Sequence, residues 1–412
     1  MSHQTFVIVG ASLAGAKAAQ ELRERGFAGG IVLIGSEPER PYERPPLSKD
    51  YLRGESERDK AYVNDAQFYA ADEVELLTST RVDALDAGEQ RVRLNNGSSI
   101  SFDKLLLATG AEPRRLEVPG SELEGIHYLR TFADADAIRE RVKDGVRVAV
   151  VGAGWIGSEV AASARGLGAE VTLIDPLPLP NVRIFGPEVG AFYRDVHAQH
   201  GVELLLGTGV SAFEGDGAVR GVRTSDDQVV ECDFAVVGIG VAPRTELAEG
   251  AGLELTNGIA VDQALRTSAE NVFAAGDVAD AWHPFYERRI RVEHWANALN
   301  QGPAAARSML GESVSYDRIP YFFSDQYEVG MEYSGYATEW DEVRFRGNPA
   351  GGEFVAFWLK DRRVLAGMNV NVWDVNQHVQ ALIRSRQPID TGALSDPDTP
   401  LETLIEEAAT SG

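Results

Sequence analysis

The sequence predicts an α/β protein with two Rossmann-type dinucleotide-binding domains and a C-terminal α+β domain. Three observations carry that expectation. Residues 148–151 form a buried-strand pattern that runs into Gly152, Gly154 and Gly157, spaced G-x-G-x-x-G, and a helix pattern follows over 158–167. The device recurs at the N-terminus, where residues 5–9 run into Gly10-Ala11-Ser12-Leu13-Ala14-Gly15 and a helix over 14–25. From Glu312 onward the pattern changes to short strands followed by helices, with no third glycine turn.

In the first unit, Ser12 replaces the middle glycine and is the smallest substitute that keeps the backbone near a diphosphate. Gly10, Leu13, Ala14 and Gly15 complete the turn, and the strand over 31–34 leads to Ser36 and Glu37. Next comes Arg44-Pro45-Pro46-Leu47-Ser48-Lys49, whose prolines stop any helix before Leu47. A helix is expected over 62–71. Strands at 74–77 and 91–94 lie on either side of Val82, and Asn95-Asn96-Gly97 forms a hairpin turn. The buried strand 105–107 closes this half at Ala108, Thr109 and Gly110.

In the second unit, Gly152 permits the tight turn, Gly154 the approach of a pyrophosphate, and Gly157 close helix–strand packing, with Trp155 and Ile156 between. The strand 170–174 ends at Asp175, about 20 residues beyond the turn, where a ribose hydroxyl needs an acceptor. A helix is expected over 187–199, with Pro187 in its first turn. Strands are expected at 202–206, 219–223 and 229–231, and strand 234–240 ends at Gly240. Residues 272–274 then run into Ala275-Gly276-Asp277. If that strand joins the first sheet, Asp277 lies at its carboxyl end and can accept a ribityl hydroxyl. Glu293-His294-Trp295 precedes a helix over 296–310. The last domain is read as strands at 321–323, 328–333, 343–346, 354–359 and 364–370 and helices at 375–385 and 401–409. Tyr321, Phe322, Phe323, Trp358 and Trp373 are assigned to its core.

Composition narrows the chemistry. The chain has 412 residues, a formal net charge of −24 and a single cysteine, Cys232. Such acidity repels nucleic acid. One cysteine excludes a disulfide framework, a cysteine-rich metal site and a redox-active pair, so no metal is expected. No run approaches the roughly 18 apolar residues of a membrane helix, and no leader pattern opens the chain. A cytoplasmic protein is expected.

These motifs resemble the FAD-dependent NAD(P)H ferredoxin reductase family of bacterial oxygenase systems, the putidaredoxin reductase and biphenyl dioxygenase reductase group. The matching stretches are G-A-S-L-A-G at Gly10, R-P-P-L-S-K at Arg44, L-A-T-G at Leu107, G-A-G-W-I-G-S-E at Gly152, A-G-D at Ala275 and S-D-Q-Y at Ser324. The resemblance implies a glutathione-reductase-like fold: an FAD-binding domain over 1–110 and 238–311, an NAD-binding domain over 111–237 and a C-terminal domain over 312–412. It implies that Ala14, Ser36 or Glu37, Lys49, Val82, Arg130, Asp277 and Trp295 occupy FAD-contacting positions. His294 and the R-P-P-L-S-K residues Arg44 and Pro45 belong to the same expected set. Lys49 would stand beside flavin N5 and pair with Glu159. A cation there favours reduced flavin, and a carboxylate can hold that cation still.

The implied activity is transfer of hydride from NADH to FAD, with electrons leaving singly to a [2Fe–2S] ferredoxin that serves a cytochrome P450 or ring-hydroxylating dioxygenase. A monomer or weak homodimer is expected. Two rivals share these motifs: a rubredoxin reductase, and an NADH-sensing flavoprotein of apoptosis-inducing-factor type. An acidic ferredoxin would need a basic docking face, for which Arg288, Arg289 and Arg291, extended by Arg307, Arg362 and Arg363, are the candidates.

Overall fold

A computed structural model of the chain describes residues 4–71 and 73–405. They form two compact units. The first comprises Met1–Pro45, Glu57–Glu112 and Val241–Arg318; the second comprises Pro46–Ser56, Pro113–Gly240 and Ile319–Gly412.

The first unit is built on a five-stranded parallel sheet in the order Val272–Ala274, Lys104–Leu107, Thr5–Val9, Gly30–Ile34, Val74–Leu77. Its strands read as continuous apolar runs because both faces are covered, and Val7, Ile8, Leu33 and Leu106 are fully buried. Val272–Ala274 does join this sheet, beside Lys104–Leu107. The turn after it therefore lies at the same edge as the Gly10 turn. Helix Leu13–Glu24 packs on helix Trp295–Met309. Gly302 sets their closeness, since a β-carbon there would lie 2.3 Å from the Ala14 carbonyl oxygen. The strands Val82–Asp86, Arg91–Leu94 and Ser99–Ser101 form a small antiparallel sheet, turned at Gly97 as expected. The helix expected over 62–71 is shorter. It spans Ala66–Ala71, because the Asp65 carboxylate accepts from the Gln67 and Phe68 amides and starts the helix there.

The second unit repeats the pattern, with parallel strands in the order Glu203–Leu206, Glu170–Asp175, Arg147–Val151, Phe234–Val237, Ile126–His127. The helix after its glycine turn starts at Trp155, earlier than Ser158, and ends at Gly166. The helix over Val182–Gln199 is broken at Gly186, whose φ of 78° ends one turn and lets Pro187 begin the next. Strand Val210–Asp216 was not expected; it pairs with Ala218–Thr224 in an antiparallel sheet.

Residues from Ile319 onward add a five-stranded antiparallel sheet in the order Tyr321–Gln326, Val329–Gly335, Arg363–Val370, Glu353–Lys360, Glu342–Asn348, covered by helix Asn376–Ser385. Trp358 and Phe322 are core residues as expected. Trp373 is not: it follows the last strand and is 55% exposed. A short helix, Thr391–Ser395, was not anticipated. The helix expected over 401–409 extends beyond the described residues.

Candidate functional site

Each unit carries its own glycine turn. In the first, Gly10 has φ of 123°, and a β-carbon there would lie 2.0 Å from the Ala108 carbonyl oxygen; one at Gly15 would lie 2.1 Å from that of Gly10. These two glycines let the strand, turn and helix meet. Helix Leu13–Glu24 begins with no side-chain cap from Ser12 and no acidic residue in its first turn. That is the amino end an anionic diphosphate requires.

Of the two ribose candidates, Ser36 is exposed and Glu37 is half-buried. Glu37 accepts a hydrogen bond from Arg44 Nη2 at 2.7 Å and another from the Tyr42 hydroxyl. Burial pushes the Glu37 carboxyl up, but the Arg44 charge and the Tyr42 hydroxyl outweigh it and hold the group below its ordinary range. Thr109 donates to the Arg244 carbonyl, and Gly110 has φ of 69°. Val82 is buried at the start of its strand. Across the sheet, the Gly276 amide donates to Gln301 Oε1 at 2.9 Å, and Arg291 donates to the Asp277 carbonyl at 3.2 Å. Gln301 and Arg291 thus fix the turn that presents Asp277; neither role was read from the sequence. His294 caps helix Trp295–Met309 through its backbone, and burial lowers its imidazole to about 4 despite the nearby Asp277.

This fixes what the arginine cluster does. Arg291 is nearly buried and pairs with Glu293, and Arg289 donates to the Val261 and Asp280 carbonyls. Arg362 and Arg363 donate to the Ile389 and Arg386 carbonyls. Arg289 and Arg291 thus serve local backbone acceptors, whereas Arg288, Arg362 and Arg363 are exposed.

Lys49 and Arg130, read with the flavin set, group with the second unit, as does every residue read as a nicotinamide-coenzyme contact. Arg130 immediately precedes Thr131, which forms a capping box with Asp134 at the start of helix Phe132–Arg141. In the second glycine turn, a β-carbon at Gly152 would lie 2.4 Å from the Gly238 carbonyl oxygen and one at Gly157 1.8 Å from that of Gly152, whereas one at Gly154 would meet only the Gly238 oxygen at 4.0 Å. The protein leaves the space beside Gly154 open, as a bound diphosphate requires. Helix Trp155–Gly166 likewise begins without a side-chain cap or an early acid. Trp155 is wedged edge-on against Phe185 and Phe322, while Ile156 is 40% exposed. Trp155 Nε1 and Ser158 Oγ are buried without a hydrogen-bond partner among the described residues. Asp175 accepts from the Ala153 amide at 2.6 Å and the Leu177 amide at 2.7 Å. It steadies the turn while each oxygen keeps a second acceptor direction. Gly240, with φ of 100°, accepts from the Arg114 amide.

The most concentrated chemistry lies at Glu159, one turn into this helix. Glu159 and Lys49 are 4% and 7% exposed, and Lys49 Nζ lies 2.7 Å from Glu159 Oε2. Ser48 donates to the same oxygen at 2.5 Å, and Ser324 donates to Oε1 at 2.7 Å. Ser163 Oγ donates to the Ser48 carbonyl at 2.7 Å and anchors that segment to the helix. Pro45–Ser48 is a 3-10 turn and Asp50–Arg53 a single α-turn, so Lys49 sits at the junction instead of within a longer helix. The expected pair is therefore formed, and two serines complete it. Both serines lie in quoted motifs, R-P-P-L-S-K and S-D-Q-Y, but nothing in one sequence says that they meet at one carboxylate.

Among the described residues no group of histidine, cysteine or acidic side chains could hold a metal ion, and no helix is long and apolar enough to cross a membrane. Cys232 is a buried free thiol, pushed by burial up to about 11.

Comparison with known proteins agrees with this arrangement. A family described as "Pyridine nucleotide-disulphide oxidoreductase" matches residues 4–302, and one described as "Reductase C-terminal" matches residues 321–405. The ferredoxin–NAD(+) reductase component of the anthranilate 1,2-dioxygenase system of Burkholderia cepacia is 40% identical over 409 residues, covering 98% of this chain and 100% of that one. Putidaredoxin reductase of Pseudomonas putida is 36% identical over 414 residues, covering 99% and 98%. A crystal structure of the covalent putidaredoxin reductase–putidaredoxin complex matches with a TM-score of 0.95 and 37% identity over 99% of this chain and 100% of that one.

Proposed function

The chain belongs to the pyridine nucleotide-disulphide oxidoreductase family, and on that premise we propose that it is an NADH:ferredoxin reductase whose acceptor is a [2Fe–2S] ferredoxin serving a cytochrome P450 or a ring-hydroxylating dioxygenase. The observation that carries this reading is the buried Lys49–Glu159 pair in a chain whose single cysteine is Cys232. Reduction of a disulfide requires a reactive thiolate, and Cys232 is fully buried with its thiol pushed up; this chain instead places a fixed ammonium–carboxylate pair beside its second dinucleotide turn. When bound, FAD supplies the conversion of a two-electron hydride into single electrons.

The chain's residues bind and orient the two cofactors. We assign FAD to 1–110 and 238–311, with the Gly10 turn at its diphosphate, Glu37 toward its ribose and Asp277 toward its ribityl chain. We assign NADH to 111–237, with the Gly152 turn at its diphosphate and Asp175 at its adenosine ribose, and treat 312–412 as a third domain. Lys49 is the residue assigned to the flavin's reactive edge, and Glu159, Ser48 and Ser324 keep its ammonium in one position. Nothing in this scheme requires a side chain to act as acid, base or nucleophile. A cytoplasmic setting, where NADH is supplied, fits a protein whose thiol is not in a disulfide.

The test is steady-state electron transfer by the FAD-loaded protein. NADH should drive many turnovers of [2Fe–2S] ferredoxin reduction. Ferricyanide reduction without reduction of any of several [2Fe–2S] ferredoxins, or faster transfer to rubredoxin, would sink the reading.

A further inference from the structure

Asn181 closes the proline-rich loop between strand Glu170–Asp175 and helix Val182–Gln199. It is 7% exposed and sits in the left-handed region with φ of 50°, a conformation asparagine tolerates better than most residues. Its backbone N–H donates to the Ala153 carbonyl at 3.0 Å. Ala153 is the residue between Gly152 and Gly154, and its own N–H donates to Asp175. Ala153 is therefore held through its N–H by the Asp175 carboxylate and through its C=O by the Asn181 backbone. The Asn181 side chain does not cap the helix it precedes, and neither Oδ1 nor Nδ2 has a hydrogen-bond partner among the described residues.

A buried amide with both ends unsatisfied costs folding free energy that an apolar residue of similar size would not. Such a cost is offset when a ligand satisfies the group. The chemistry of the group restricts that ligand. A diphosphate oxygen only accepts, and would leave Oδ1 unmatched. A hydroxyl both donates and accepts, so a ribose diol can satisfy both atoms. From this we infer that Asn181 binds the adenosine ribose of the nicotinamide coenzyme together with Asp175, and that it contributes to recognition of an unphosphorylated 2′-hydroxyl. A 2′-phosphate has no proton to give Oδ1 at neutral pH. The inference rests on the proposal that the second unit binds NADH.

The test uses the FAD-loaded protein with Asn181→Leu, which keeps the branched shape without the polar atoms, and Asn181→Gly, which removes the amide while relieving the left-handed backbone. Calorimetric titration should show NAD+ and ADP-ribose bound about tenfold more weakly by both variants, equivalent to about 1.4 kcal/mol. The stabilisation of thermal unfolding by ADP-ribose should shrink in parallel. Reduced nicotinamide mononucleotide lacks the adenosine ribose, and its second-order rate of flavin reduction should be unchanged. Wild-type affinity for ADP-ribose in both variants overturns the inference. Equal losses with the mononucleotide also overturn it, because they mark a purely structural role. Failure of the parent protein to bind NAD+ or ADP-ribose would instead overturn the assignment of NADH to this unit.

Discussion

Separating Lys49 from Glu159 tests the centre of the site. Their atoms lie 2.7 Å apart, where two unit charges at an effective dielectric of 20 attract by about 6 kcal/mol before desolvation is subtracted. Deleting one partner of such a buried pair costs about 3–5 kcal/mol, mostly because the other charge stays buried alone. Glu159 also accepts from Ser48 and Ser324, and hydrogen bonds to a charged group are worth about 1.5–3 kcal/mol each. Glu159→Gln keeps the size and the ability to meet those hydroxyls; Lys49→Met keeps the chain length. Each single variant should therefore lose a few kcal/mol in equilibrium urea unfolding. The double variant should be more stable than the sum of the losses predicts, by about 2–3 kcal/mol, because it no longer strands a charge. The same four proteins should be followed by stopped-flow flavin reduction with NADH, where Lys49→Met should be slow while retaining its FAD. Additivity of the two substitutions to within about 0.5 kcal/mol would refute the claim that these side chains act as one unit.

Three other outcomes follow from the geometry. NADH should be preferred to NADPH by roughly 100-fold in kcat/KM, because Asp175 is buried at the turn, residues 176–181 contain no Arg or Lys, and the next basic residue along the chain, Arg183, is solvent-exposed; comparable values for the two coenzymes would count against Asp175 as the ribose acceptor. His197 is fully buried, and burial lowers its imidazole from 6.5 to about 4, so the unfolded chain takes up a proton that the folded one refuses. The share of stability due to His197 should be complete above pH 6.5 and lost toward pH 4, up to about 3 kcal/mol, and His197→Phe should remove that share in pH-dependent unfolding while the contribution of His294, lowered likewise, remains. Cys232 is buried with a raised thiol, so iodoacetamide should leave it unlabelled in the native protein and label it once urea unfolds the chain.

The strands and glycine turns were legible because their signals are local. A mostly apolar run of three to five residues with both faces covered reads the same in sequence and in space, as 5–9, 105–107, 148–151 and 234–237 do. Val272–Ala274 was also readable, but its place in the first sheet depends on pairing with a strand 167 positions away, which no periodicity encodes. Ser324 is the sharper case. Its motif was visible, yet its partner Glu159 precedes it by 165 residues. The arginine cluster shows the same limit: nothing in a run of three cations says that Arg289 and Arg291 serve the carbonyls of Val261, Asp280 and Asp277. Trp373 was misassigned because aromatic residues are usually buried, and burial is a property of the packed sheet.

The two glycine turns, set side by side, separate what the fold demands from what a ligand demands. The outer glycines of each turn admit no β-carbon: Gly10 and Gly15 in the first, Gly152 and Gly157 in the second, all with backbone oxygens within 2.4 Å of where it would stand. Substitution there would force strand and helix apart. The middle position is different. At Gly154 the nearest atom to a β-carbon is 4.0 Å away, so the protein itself does not require glycine there. In the first turn that position is Ser12, and its strand and helix form all the same. The serine that weakens the fingerprint as a sequence pattern therefore leaves the architecture unaffected. Its constraint concerns only how near a diphosphate can approach, and a single hydroxymethyl group brings a hydroxyl that can donate to that anion in place of the closer backbone contact.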